Sequence, residues 1–177
     1  MTGPYLLRYM LTTTLLMLVL AVGGHAAADT MVAQATLKDG DGNVVGTAQL
    51  RETPAGVLLH LKLSGLPVGT HALHFHETGE CTPPFESAGG HYNPDGKAHG
   101  LLDPKGPHAG DMPNIHIPAS GELELEILSL AKSLNTDSGL MAGDGSAIII
   151  HEGADDYMTD PAGAAGTRIA CGVIEPA

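Results

Sequence analysis

The sequence has no tryptophan, and its only aromatic residues are four tyrosines and two phenylalanines among 177 residues. Lysine and arginine number 8 against 20 aspartates and glutamates, which gives a net charge of −12 with histidine neutral. Such a chain is a poor candidate for binding nucleic acid or an anionic membrane through its net charge. Charged residues make up only 16%, which excludes a coiled coil and a charged disordered chain. Histidine, in contrast, is abundant: the sequence has 10, a number that favours a metal-binding function.

The first 28 residues carry no acidic residue and one basic residue, Arg8. A largely apolar stretch from Tyr9 to Val22 is followed by small residues that end at Ala28. This order predicts a secretory signal peptide, cleaved after Ala28. The apolar stretch is shorter than the about 20 residues of a membrane span, so we expect no membrane anchor after cleavage. The mature chain, residues 29–177, is one domain with a net charge of −13 once Arg8 is removed.

Cysteine is almost absent, since Cys81 and Cys171 are the only two in the sequence. In the oxidising compartment that a signal peptide indicates, one pair predicts one disulfide, with two buried thiols as the alternative. The expected location is a bacterial periplasm, although another exported destination stays open.

Apolar and polar residues alternate with a period of two over most of residues 29–177, as in Leu123, Leu125 and Ile127 between glutamates. No segment has a helical period over three turns. We predict eight strands, over 31–38, 44–51, 57–64, 70–76, 114–118, 122–127, 146–151 and 168–174. Eight short strands with frequent turns predict an all-β fold, an antiparallel sandwich or flattened barrel.

Two long segments interrupt this rhythm. Residues 77–112 are rich in glycine, proline and histidine, and residues 152–167 are rich in aspartate, glycine and alanine. Loops of this length without structure of their own are usually functional or disordered. The histidines indicate that these are two functional loops.

Histidines and one aspartate form a pattern typical of a metal centre. His74 and His76 alternate on a predicted strand, so both side chains project from one face, although a polar strand face is the alternative. The first long loop adds three imidazoles and one carboxylate, a set that suits tetrahedral zinc. His151 ends a further strand, where it could point at the His74 and His76 pair. The three imidazoles and the carboxylate of the first long loop belong to His91, His99, His108 and Asp111. Six histidines and one aspartate suffice for two metals if one imidazole bridges them.

Across these residues the chain resembles the copper–zinc superoxide dismutases, especially the exported bacterial ones. The matching stretches are His74-Phe75-His76-Glu77, Gly89-Gly90-His91-Tyr92-Asn93-Pro94, His108-Ala109-Gly110-Asp111, His151-Glu152-Gly153-Ala154-Asp155-Asp156 and Arg168-Ile169-Ala170-Cys171-Gly172-Val173. The resemblance implies a Greek-key β-barrel, copper and zinc as cofactors, and the superoxide anion as substrate. It also implies dismutation to oxygen and hydrogen peroxide.

The resemblance assigns a role to each matching residue. It implies the copper ligands His74, His76, His91 and His151. It implies the zinc ligands His91, His99, His108 and Asp111, so that His91 is the bridge and helps to deliver a proton. Asp155 corresponds to a carboxylate that links His74 to His99, and Arg168 to the residue that attracts and orients the anion. Cys81 and Cys171 match the disulfide of the family.

One departure concerns the loop between His151 and Arg168, which contains no lysine or arginine and predicts weaker steering of superoxide. Four histidines receive no role: His25, His60, His71 and His116. The alternative function is an exported copper- or zinc-binding module, or a copper carrier, without catalytic turnover. Related enzymes occur as dimers and as monomers, so a homodimer is an open expectation.

Overall fold

The computed structural model describes Met1 and residues 32–177, so the remainder of the predicted signal peptide lies outside the described residues. The described part contains ten strands and one turn of 3-10 helix, Glu86–Ala88. The strands are β1 (Val32–Asp39), β2 (Val44–Thr53), β3 (Gly56–Ser64), β4 (Gly69–His71), β5 (Leu73–His76), β6 (Ile115–Ile117), β7 (Glu122–Leu128), β8 (Ala147–His151), β9 (Arg168–Val173) and β10 (Glu175–Pro176). No helix in this part is long and apolar enough to cross a membrane.

Every strand pairing is antiparallel, which confirms the predicted all-β fold. The main sheet is curled and runs in the order β5-β8-β9-β1-β2-β3-β7, with β10 paired to β1. A separate two-stranded sheet joins β4 to β6. The order brings β5, β8 and β9 together at one end of the sheet. These three strands carry the predicted site residues His74, His76, His151, Arg168 and Cys171, and the other predicted site residues lie in the two long loops.

The predicted single strand over 70–76 is two strands in the structure. At Ala72 the chain leaves β4 and enters β5, and its N–H donates a hydrogen bond to Gly153 O at 2.8 Å. The carbonyl of Ala72 accepts a bond from His151 N at 3.0 Å. Ala72 therefore joins the second long loop to the strand that carries His74.

Alternation of side chains along the strands builds the core. In β3, Val57, Leu59 and Leu61 are fully buried. In β7, Leu123, Leu125 and Ile127 pack partly buried against the same core, and the glutamates between them are exposed. A clean inward-apolar, outward-polar pattern is what an antiparallel sheet with one solvated face requires.

The predicted disulfide is confirmed: Cys81 and Cys171 are bonded across 90 residues of sequence. The bond adjoins a small second core formed by Phe85, Ala88, Ala147 and Ile149. It thereby ties the 77–112 loop to β9.

Replacing both cysteines by alanine is expected to lower the free energy of unfolding by about 2–5 kcal/mol. The bond closes a long loop, and its loss removes the covalent link between the turn around Phe85 and β9. Urea unfolding of the oxidised parent and the double variant measures the difference. Equal unfolding midpoints would contradict this prediction.

Candidate metal centre

Strand β5 presents His74 and His76 on one face and directs Leu73 and Phe75 to the other. All four residues of β5 are buried, and Leu73 and Phe75 belong to the main core. The 77–112 loop returns antiparallel along β5, because Tyr92 N donates to Phe75 O at 2.8 Å and Phe75 N donates to Gly110 O at 2.9 Å.

This return path places loop residues opposite the two strand histidines. Isolated β-bridges pair His76 with His91 and His74 with Asp111. The backbone register of the loop therefore fixes which loop side chain faces which strand histidine.

A change of register in the β8–β9 ladder brings in His151. The shift falls between Ile150 and His151, and it leaves His151 paired directly with Arg168 of β9. Irregularities of this kind occur beside active sites and redirect a side chain. Here the residue after the shift joins the histidines of β5.

Four histidines form the first cluster, which we call the four-histidine cluster. One ring nitrogen from each lies within 4.8 Å of the others, and all four residues are buried. The ring centroids of His74 and His91 are 4.0 Å apart, and those of His76 and His91 are 4.9 Å apart. The members are His74, His76, His91 and His151.

The second cluster, the histidine–aspartate cluster, comes entirely from the 77–112 loop and consists of His91, His99, His108 and Asp111. Asp111 Oδ1 lies 2.8 Å from His91 Nδ1 and 3.2 Å from His99 Nδ1. It also lies 3.3 Å from His108 Nδ1. Since His91 belongs to both clusters, its ring links them.

The other ring nitrogens of the four-histidine cluster are anchored to oxygen atoms. His74 Nε2 donates to Asp155 Oδ2 at 2.9 Å, and His76 Nδ1 donates to Gly89 O at 3.0 Å. His151 Nδ1 donates to Gly166 O at 3.3 Å. Such bonds fix the tautomer and leave the opposite nitrogen without a proton, free to bind a metal.

Five ring nitrogens are buried and have no hydrogen-bond partner among the described residues: His74 Nδ1, His76 Nε2, His91 Nε2, His99 Nδ1 and His151 Nε2. A buried polar atom without a partner costs about 1–3 kcal/mol, so native proteins contain few of them. Five such atoms in two adjoining clusters are explained if metals are the missing partners. The donors present therefore fit imidazole-bound copper and a zinc with one carboxylate ligand.

Electrostatics favour neutral imidazole at three residues of the four-histidine cluster. Burial, followed by the neighbouring His91, lowers the pKa of His76 to about 2. Burial also lowers the pKa of His91 to about 4, although Asp111 opposes that change. For His151, burial and then His74 lower the pKa to about 3. Neutral rings are the form that binds a metal ion.

Carboxylates reverse this tendency at His99 in the second cluster. Burial lowers the pKa of His99, but the neighbouring carboxylates of Asp111 and Asp155 outweigh it and raise the pKa to about 9. Burial alone would raise the pKa of both carboxyl groups, whereas their histidine partners hold both well below the ordinary range. Asp111 and Asp155 are therefore ionised at neutral pH.

Asp155 connects the clusters, and the structure shows how it is held. Its Oδ1 accepts from His99 Nε2 at 3.0 Å, while Oδ2 accepts from His74. The side chain of Asn114 clamps the Asp155 backbone, accepting from its N–H at 2.8 Å and donating to its carbonyl at 2.9 Å. Sequence reasoning missed Asn114, which lies three residues after Asp111 and carries no metal-ligand signal of its own.

Arg168 lies beside the four-histidine cluster. Its Nη1 donates to Phe85 O at 2.6 Å and its Nη2 to Gly89 O at 2.7 Å, and the side chain is 15% exposed. The positive charge contributes to the lowered pKa values of His76 and His151. The guanidinium is thus a fixed, partly accessible cation at this cluster.

Three histidines without a predicted role, His60, His71 and His116, lie outside both clusters. His60 and His116 bond to Glu124 and Thr70. His71 is buried, with ring nitrogens 2.8 Å from His151 O and 2.9 Å from Pro67 O, so it braces the backbone of a cluster residue. His25 lies outside the described residues.

Comparison with known proteins identifies the family. Residues 44–174 match the model of copper/zinc superoxide dismutase. The chain belongs to the copper/zinc superoxide dismutase family. It is 51% identical over 146 residues to superoxide dismutase [Cu-Zn] 2 of Aquifex aeolicus, covering 80% of this chain and 85% of the relative. The superoxide dismutase [Cu-Zn] of Caulobacter vibrioides is 47% identical over 148 residues, covering 81% and 85%.

A solved structure agrees with these relatives. The crystal structure of a superoxide dismutase-like protein from Bacillus subtilis superposes with a TM-score of 0.76 at 39% identity, covering 79% of this chain and 96% of that one. The activity is accordingly dismutation of superoxide, with copper and zinc as cofactors. The disulfide and the bacterial relatives are consistent with an extracellular or periplasmic location.

Proposed function

We propose that the four-histidine cluster holds copper and that the histidine–aspartate cluster holds zinc. His91, which belongs to both clusters, would be a ligand shared by the two metals. The observation that carries this assignment is the set of five buried ring nitrogens without partners. The grouping of donors supports it too, because His74, His76 and His151 serve only the first cluster, and His99, His108 and Asp111 only the second.

When bound, copper would accept and return one electron. Zinc, which has no redox chemistry, would supply positive charge and hold the 77–112 loop. His91 would hold a proton on Nε2 only when that nitrogen is not bound to copper, and it would help to deliver this proton toward the product. The His91 ring would keep its orientation during this transfer because its Nδ1 lies 2.8 Å from Asp111 Oδ1. Asp155 keeps the rings of His74 and His99 in their orientations.

Arg168 attracts the superoxide anion and orients it at the copper side of His91. Two carbonyl oxygens fix the guanidinium, so little of its conformational freedom is left to lose when the anion binds. The alternative, a metal-binding or copper-carrying module without turnover, is not favoured. A carrier needs no anion-orienting cation beside its copper ligands, and Arg168 is present and fixed.

We further propose that residues 1–28 are a signal peptide and that residues 29–177 form the mature enzyme in the bacterial periplasm, without a membrane anchor. The disulfide supports this location, because such bonds persist in oxidising compartments. A homodimer, the pairing common among related enzymes, completes the proposal, and sedimentation of the exported protein tests it.

The ligand assignment is tested by removing one ligand from each cluster. We expect His76→Ala to lose copper and at least about 100-fold of the dismutase activity while it keeps zinc, since even an outer partner of a ligand is worth about 10–100-fold in affinity. We expect His108→Ala to lose zinc preferentially. Metal content per chain, measured by mass spectrometry, and superoxide decay give the two readouts.

The matched control is His116→Ala, which removes an exposed histidine bonded to Thr70 and outside both clusters. It should keep both metals and full activity. Full copper occupancy in His76→Ala, or equal metal loss in all three variants, would show the assignment to be wrong.

A further inference from the structure

Glu77 follows β5 directly and belongs to neither cluster. Its carboxylate Oε1 accepts a hydrogen bond from Gly90 N–H at 3.0 Å. Its own backbone N–H donates to Gly90 O at 2.9 Å. Glu77 is therefore joined to Gly90 through both its side chain and its backbone.

The N–H of Gly90 belongs to the same peptide unit as the carbonyl of Gly89. That carbonyl oxygen accepts two hydrogen bonds, from His76 Nδ1 at 3.0 Å and from Arg168 Nη2 at 2.7 Å. Because a peptide unit is planar, fixing the direction of its N–H also fixes the direction of its C=O. The carbonyl of this peptide thus binds both His76 and Arg168. Its N–H, which points the opposite way, is bound by Glu77.

The Gly89–Gly90 segment has no side chain of its own to fix its conformation. Gly89 adopts φ 73° and ψ −154°, a region that is almost restricted to glycine. A Cβ on Gly89 would lie 3.0 Å from Glu77 Cγ and Oε1, so the Glu77 side chain packs directly against this backbone. Glycine allows many peptide orientations, and an ionised acceptor forms a strong hydrogen bond that selects one of them.

We propose that Glu77 is a positioning residue whose carboxylate orients the Gly89–Gly90 peptide, so that Gly89 O holds the His76 ring and the Arg168 guanidinium together. The proposal rests on the proposed function for the roles of His76 and Arg168. It assigns to Glu77 a part in anion binding although Glu77 touches neither the anion nor a metal.

The test compares Glu77→Ala with Glu77→Gln in the full protein loaded with copper and zinc. Both variants remove one negative charge, but only glutamine keeps an oxygen that can accept from Gly90 N–H. We expect Glu77→Ala to weaken binding of azide, a small anion, by about 3- to 10-fold in an optical titration, and to slow superoxide decay similarly. Glu77→Gln should recover most of both losses.

Glu126→Ala is the matched control, because Glu126 is an exposed glutamate on β7 and its loss changes the net charge equally. It should bind azide as the parent does. Parent-like azide binding in Glu77→Ala would overturn the proposal. Equal changes in Glu77→Ala and Glu77→Gln would also overturn it, since the effect would then belong to charge alone.

A readout on metal-free protein separates this proposal from the proposed function. Amide hydrogen exchange of Gly90, followed by NMR, should be faster in Glu77→Ala than in Glu77→Gln by a similar factor. Equal exchange in the two variants would contradict the role of Glu77 even if the metal assignments hold. If Gly90 exchanges faster in Glu77→Ala than in Glu77→Gln, but the parent protein fails to bind copper when copper is added, then only the proposed function is contradicted.

Discussion

Removal of both metals should abolish superoxide consumption and lower the melting temperature by about 10 °C. In the proposed assignment the four-histidine cluster holds the redox metal on which activity depends, so no turnover should remain. Stability falls because a metal that binds only the native state adds about 3–4 kcal/mol at several hundred times its dissociation constant. For a domain of this size each kcal/mol moves the melting temperature by roughly 2–4 °C.

Reconstitution separates the two contributions. Zinc alone should restore most of the melting temperature, because His91, His99, His108 and Asp111 all lie on the 77–112 loop and a single ion closes that loop. Copper together with zinc should restore activity as well. Calorimetry and superoxide decay on the same samples provide the measurements. Full dismutase activity in a copper-free sample would refute the copper assignment.

Much of the site could be predicted because its residues are of uncommon types in a regular pattern. His74 and His76 alternate on a strand, and period two alone puts them on one face. The loop histidines could be grouped through the resemblance. The sequence contains nothing, however, that states how the loop returns along β5, which is what pairs His76 with His91.

The residues that support the ligands were harder to find. Three of them, Asn114, His71 and Glu77, bind backbone atoms with their side chains. Sequence periodicity does not indicate which backbone atom a side chain binds. The division of 70–76 at Ala72 escaped prediction for the same reason. Its cause is a pair of backbone hydrogen bonds to residues about 80 positions away. Long-range backbone contacts are thus the part of this fold that local patterns do not encode.

The remaining large effect concerns Arg168, whose guanidinium is held by two carbonyl oxygens beside the four-histidine cluster. The protein is strongly acidic, and the 152–167 loop has no lysine or arginine, so superoxide is repelled at long range. Positive potential must therefore be local, from the metals and Arg168. Steering by surface charge changes association rates by about 10–10³-fold in proteins, this family included.

Arg168→Glu should accordingly slow superoxide decay by at least about 10-fold while copper stays bound, since Arg168 is not a ligand. The variant replaces an attractive charge by a repulsive one and also loses the bonds to Phe85 O and Gly89 O. Its rate should rise with added salt, because screening beyond about 8 Å at physiological ionic strength relieves repulsion at the mouth of the site.

Arg51→Glu is the matched control, because Arg51 is exposed on β2 and the substitution changes the net charge by the same amount. Its rate should stay within about twofold of the parent, since a distant exposed charge is largely screened. Arg168→Lys keeps the charge but cannot span two carbonyls as a guanidinium does, so it should fall between parent and Arg168→Glu. Stopped-flow decay at several ionic strengths, with copper content measured on each sample, resolves these cases. If Arg168→Glu keeps the parent's rate at full copper occupancy, then the cation beside His151 does not guide the anion and the metals alone supply the attraction.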